Sequence, residues 1–134
     1  MDPDWSVIVA RCIRDRGAAA VEFALVLPML LVLTLGVIAF GHAFHVQTVL
    51  DNAARDAVRV YTLTPDAAPV VADDAAIASA ELSVALTAAD VDVTPTPCAE
   101  GQNARVTVEH TFEMLGGFFG SITLTGSGTM RCAG

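Results

Sequence analysis

Apolar and polar positions fall into three successive patterns along the chain. From Gly17 to Phe40 the sequence GAAAVEFALVLPMLLVLTLGVIAF is apolar except for Glu22 near its start and Thr34 near its end. A helix from Ala18 to Phe40 rises roughly 34 Å at 1.5 Å per residue, enough to cross a hydrocarbon core about 30 Å thick. This predicts one membrane-spanning helix over 18–41. Beyond it, Val46, Val49, Leu50, Ala53, Ala57, Val60 and Tyr61 recur at spacings of three and four, opposite Gln47, Asp51, Arg55 and Arg59. The same helix is therefore expected to continue over 42–63 with one apolar stripe, which a folded domain must cover. Thr64-Pro65-Asp66 breaks the pattern, and a second helix is expected over 69–86, opened by Pro69 and carrying Asp73 and Asp74 in its first turn. The period then changes to two in Val91–Thr94, Ala104–Phe112 and Ile122–Met130, which predicts three antiparallel strands within 90–132. The fold class expected is α+β: a long N-terminal helix, a second helix and a small three-stranded antiparallel sheet.

The flanks of the apolar run set its direction. Arg11, Arg14 and Arg16 stand just before it, and the next arginine is Arg55. The positive-inside bias then keeps the N-terminus in the cytoplasm and places 42–134 outside. Residues 1–17 read as a cytoplasmic leader, mixed in charge and expected to be mostly disordered. A secretory signal peptide has an apolar region of about 7 to 15 residues, shorter than this run, although Gly41-His42-Ala43 is small enough at its ends to be cut. Pro28 removes one backbone hydrogen bond and is expected to kink the helix, while Ala20 and Ala24 put a small-xxx-small pair on one face.

Glu22 is what a plain anchor does not need. A carboxylate carried into a bilayer by a helix costs about 2.5 to 3.5 kcal/mol, so something must compensate it. One reading sends the side chain to the headgroups. The other pairs it with a cation, and the nearest candidate is an α-amino group created at Ala18 by cleavage after Gly17.

Arg14-Asp15-Arg16-Gly17, then Ala18-Ala19-Ala20-Val21-Glu22-Phe23, then Ala24-Leu25-Val26-Leu27-Pro28, with Asn52-Ala53-Ala54-Arg55 following, together resemble the N-terminal signature of TadE-like minor pseudopilins of tight-adherence (Flp) pili, members of the type IV pilin superfamily. The resemblance covers Arg14 to Tyr61. It implies cytoplasmic cleavage by a prepilin peptidase between Gly17 and Ala18, leaving Glu22 fifth and Phe23 sixth in the mature chain and both at an assembly surface. It also implies other pilin and pseudopilin subunits, the peptidase, the pilus assembly platform and the membrane as partners. The rival reading is a single-pass, signal-anchored protein whose exterior domain binds an extracellular ligand.

Composition narrows the partners further. The chain has a net charge of −8 and contains no lysine. Loss of 1–17 removes three arginines and three acids, leaving that charge unchanged. Nucleic acid is not an expected partner, because phosphate recognition needs a basic face. Of the cysteines, Cys98 and Cys132 lie in the exterior part and Cys12 precedes the span. Only the first two share an oxidising compartment, so they are expected to form a disulfide while Cys12 stays free. No metal, cofactor or catalytic activity is expected. His110 lies in a strand pattern, His42 and His45 have no acid or thiol at ligand spacing, and Gly116, Gly117 and Gly120 lack the lysine of a phosphate loop. The turn Met114–Gly120 has two readings, a loop folded over the core or an exposed apolar tip touching membrane or a neighbouring subunit.

Overall fold

A computed structural model of the chain describes residues 5–64, 66–113, 116, 117 and 120–132, with side chains described from Gly17 onward. The elements are α1 (Trp5–Leu63), α2 (Val70–Ala80), a 3-10 turn (Ala88–Asp90), β1 (Val91–Thr94), β2 (Asn103–Glu113) and β3 (Ser121–Arg131). This is the expected α+β architecture. The chain divides into two compact units, Met1–Ile38 and Ala39–Gly134.

In the first unit, α1 begins at Trp5, where a mostly disordered leader was expected. Residues 5–16 contain neither proline nor glycine and several good helix formers, so nothing in them stops a helix propagating back from the apolar run. The state of the Cys12 thiol lies outside the described residues. Every residue from Gly17 to Ile38 is exposed, and α1 passes through Pro28 without interruption. The Thr34 hydroxyl donates to the Leu30 carbonyl at 2.7 Å, which satisfies the one neutral polar side chain of the run from within its own helix.

The second unit is a helix pair laid on one face of an open sheet of order β1-β2-β3, antiparallel throughout. In β2, Ala104, Val106 and Val108 point into the core while Asn103, Arg105 and Glu109 face out, the alternation expected of a sheet covered on one side. From α1 the core takes Val46, Leu50, Ala53, Ala54, Ala57, Val58 and Tyr61. This stripe is rotated from the expected one: Ala54 and Val58 are buried, whereas Val60 is 40% exposed. The cause is β3, whose Gly126 and Gly128 approach the Leu50 and Ala54 side of the helix and turn the contact away from Val60. For the same reason Gln47, expected to face solvent, donates to the Thr125 carbonyl at 2.9 Å. Its amide also reaches Asp51 at 3.4 Å.

Helix α2 buries only alanines, Ala72, Ala76 and Ala80, so it lies close to its neighbours. The Ser79 hydroxyl ties it to α1 by donating to Asp56 at 2.9 Å. It ends at Ala80, short of the expected Leu86, where Ser83 and Val84 both donate to the Ala80 carbonyl. Buried positions spaced by four (72, 76, 80) give way there to Val84 and Leu86, spaced by two. An extended segment buries both of those side chains, and a helix would leave one of them outside.

Candidate assembly surface

Glycine is required where β3 crosses α1. A Cβ on Gly126 would overlap the Leu50 carbonyl group and lie 2.7 Å from the Asp51 amide nitrogen, and one on Gly128 would lie 2.6 Å from the Ala54 carbonyl oxygen. Glycines alternating with polar residues inside a strand pattern are a signal of close backbone approach, which the sequence reading did not use. At this crossing the helix is held by main chain rather than by long side chains, so its position relative to β3 is tightly fixed.

Other contacts close the Ala39–Gly134 unit around the same helix. The Tyr61 ring is fully buried and its hydroxyl donates to the Pro95 carbonyl at 3.1 Å. Cys98 and Cys132 are bonded, with Cα atoms 5.8 Å apart. The bond joins the β1–β2 connection to the end of β3, where Cys132 also donates its N–H to the Gln102 carbonyl at 2.8 Å. Before β1, Asp90 accepts from the Thr87 N–H at 2.8 Å and the Thr87 hydroxyl at 2.7 Å. The Thr87 hydroxyl, then its amide, and further away the charge of His110 hold the Asp90 carboxyl below the usual carboxylate range, against the opposing effect of burial. Burial first and the neighbouring Asp74 second push Asp73 up.

The residues singled out in the sequence occupy separate places. Gly17, Ala18, Glu22 and Phe23 lie on exposed turns of α1, Phe23 at 64% exposure. A Cβ on Gly17 would meet nothing within 4 Å, although glycine inside a helix costs about 0.5–1 kcal/mol relative to alanine. Gly36 and Gly41 are equally open, so openness distinguishes Gly17 only together with the arginines before it and Glu22 after it. In the intact chain Ala18 N is a helical peptide nitrogen, and the amine that would face Glu22 exists only after a cut. Pro28 has no N–H for the carbonyl four residues back, that of Ala24, one of the two small residues flanking Glu22.

His110 is half-buried on the inner side of β2, and the His42 ring meets that of Phe112 at a tilt, with ring centroids 4.8 Å apart. His45 is exposed. Among the described residues no cluster of three metal-binding side chains is present. Two shallow depressions open on the outer side of the sheet. Arg105, Arg131 and Thr129 line one, and Asp90, Asp92 and Glu109 line the other.

Comparison with known proteins adds one finding. Residues 17–59, about a third of the chain, match the family model described as TadE-like protein. The match begins at Gly17 and ends within the buried half of α1, so it joins the exposed apolar run to the stripe that β3 crosses. No curated protein and no solved structure gives a match.

Proposed function

We propose, from the match of residues 17–59 to the TadE-like family model, that the chain is a minor pseudopilin acting in assembly of Tad pili. In this reading a prepilin peptidase removes residues 1–17 on the cytoplasmic side, and the chain sits in the membrane with 42–134 outside. Mature α1 then packs with the helices of other pilin and pseudopilin subunits when the assembly platform extracts it.

The observation that carries the reading is the contrast along a single helix. From Gly17 to Ile38 every residue is exposed, and the only charged residue is Glu22. From Val46 to Tyr61 the same helix supplies the core of the exterior unit. A stretch this apolar needs lipid or neighbouring helices around it. The neutral small residues Ala20 and Ala24 let a neighbouring backbone come close to the carboxylate. After cleavage, Glu22 faces an ammonium at Ala18 in a low-dielectric setting, where a charge-assisted hydrogen bond is strong. The excess of arginine before the run, Arg11, Arg14 and Arg16 with none after it until Arg55, supports the orientation. In this reading the role is structural.

Glu22→Gln tests the pairing. The variant is expected to insert in the membrane at least as well as wild type, since the amide is less costly there, and to lose most of its co-purification with partner pilin subunits. Normal piliation and normal co-purification would show that the charge has no part in assembly and favour a carboxylate reaching for the headgroups.

A further inference from the structure

We infer that copies of this chain join head to tail through the Ala39–Gly134 unit, the arginine-lined β3 edge of one copy taking the acidic β1 side of the next. The contact lies within that unit and is independent of any processing of α1.

Strand β3 is paired on one side only. The Gln47 amide donates to the Thr125 carbonyl from the open side, while the Cys132 N–H donates to the Gln102 carbonyl just before β2. Peptide groups of alternate residues point the same way, so Ser127, Thr129 and Arg131 present their N–H and C=O groups to the open side. The register with β2 runs unbroken from Ser121 to Arg131, and that stretch contains no proline and no acid. A long edge without a bulge or proline is a template for another chain.

The charge around this edge says what the other chain must carry. Beyond the apolar run the chain has four arginines, Arg55, Arg59, Arg105 and Arg131, and no lysine. All four are exposed, and all four gather around the Ser127–Arg131 half of β3. The pairs Arg105 with Thr129 and Asn103 with Arg131 put two guanidinium groups on the outer side of the sheet, in a depression whose lining contains no carboxylate. On the helix side, a Cβ on Gly128 would lie 3.0 Å from the Arg55 Cα, which sets Arg55 against the strand. Gly126 lies against Leu50 and Gly128 against Ala54, so two residues of strand, about 7 Å, keep pace with four of helix, about 6 Å. The same pace sets Arg59 level with Met130.

The other side of the same sheet is acidic. Asp90, Asp92 and Glu109 line a depression beside β1 that contains no arginine. Strands β1 and β3 are both antiparallel to β2 and therefore run in the same direction. A second copy brought up without turning then offers its acidic side to the arginine edge of the first, and opposite charges meet. Asp92 is level with Ser127 through Thr107, short of Thr129 and Arg131, so neighbouring copies are staggered by about 7–14 Å along the strands. Because the two surfaces differ, each copy keeps one of them free and the row stays open.

Two differently tagged populations of the full chain are purified in a nonionic detergent, and capture of one by the other is measured. Wild-type copies are expected to capture each other, several-fold less at about 0.5 M salt than at about 0.05 M. Arg105→Glu with Arg131→Glu removes the basic side and Asp92→Arg with Glu109→Arg the acidic one, so each double variant should capture itself less by about ten-fold or more. Mixed, the two should capture each other at close to the wild-type level, since each retains the side the other needs. The milder Arg131→Gln should weaken capture in the same direction and leave the thermal midpoint unchanged. Self-capture undiminished in both double variants overturns the head-to-tail contact, as does a failure of wild-type copies to capture each other. A mixture of folded variants no better than either alone overturns it too. Should a double variant lose its wild-type midpoint, undiminished capture by Arg131→Gln has the same meaning.

Discussion

Gly126 of β3 lies so close to Leu50 of α1 that a single added carbon would overlap the Leu50 carbonyl group. The clash is with main chain on both sides, so no side-chain rotation relieves it. Gly126→Ala is expected to destabilise the Ala39–Gly134 unit by about 2–3 kcal/mol, the upper range of overpacking costs. Gly128→Ala, with its contact at 2.6 Å from the Ala54 carbonyl oxygen, should behave alike. Gly36→Ala, whose added carbon meets nothing within 4 Å, should leave the thermal midpoint unchanged. Equal midpoints for all three variants would mean that β3 does not cross α1 at these glycines.

Tyr61 joins α1 to the segment after β1 through one hydroxyl. Tyr61→Phe keeps the buried ring and leaves the Pro95 carbonyl without its 3.1 Å donor, a loss of about 1 kcal/mol. Tyr61→Ala empties a fully buried site and should cost about 3–5 kcal/mol. Urea denaturation of the two variants separates the hydrogen bond from the packing.

The order of elements was legible because each change of period has a mechanical meaning. Val46, Leu50 and Ala57 mark a helix with one covered side, and Val106 and Val108 mark a strand with one covered face. What was not legible depended on a neighbour. The stripe on α1 turned toward Ala54 and Val58 because two glycines far away in sequence, on β3, let that strand come close. The end of α2 at Ala80 was decided by where Val84 and Leu86 must be buried. The Thr87 to Asp90 contact is a local three-residue spacing that was present in the sequence and went unused. Gly17, Ala18, Glu22 and Phe23 can be proposed from the sequence alone because the roles expected of them depend on the membrane and on neighbours along the helix rather than on the fold.

Asp90 gives the Ala39–Gly134 unit an acid-sensitive contact. Its carboxyl is held below the usual carboxylate range by Thr87, so the folded state favours the charged form. The stabilisation is present above the unfolded value, about 3.9, and is lost as pH falls through the lower folded value. Asp90→Asn should remove this part of the loss in stability below about pH 4. Asp73 acts in the opposite direction, because burial and Asp74 raise it. Its protonated form is favoured by folding, and stability falls as pH rises through its raised value. Midpoints of Asp90→Asn and Asp73→Asn measured from pH 3 to 7 separate the effects.

The bond between Cys98 and Cys132 spans a sequence separation of 34, and closing such a loop is worth about 4 kcal/mol in the chain-entropy model. Replacing both cysteines by alanine should lower the denaturation midpoint by a correspondingly large amount, and Cys12→Ser should not. Peptide mapping without reductant is expected to recover Cys98 joined to Cys132. Finding both thiols free in surface-exported protein would contradict the pairing.

The proposal that this chain is a processed pseudopilin is tested most directly by the intact mass of the membrane-extracted protein after co-expression with its cognate prepilin peptidase. The mass is expected to correspond to a chain beginning at Ala18, with Gly17 and everything before it removed. A chain that keeps its full mass in the presence of active peptidase would contradict the account, and a cut after Ala43 would identify an ordinary secreted protein instead.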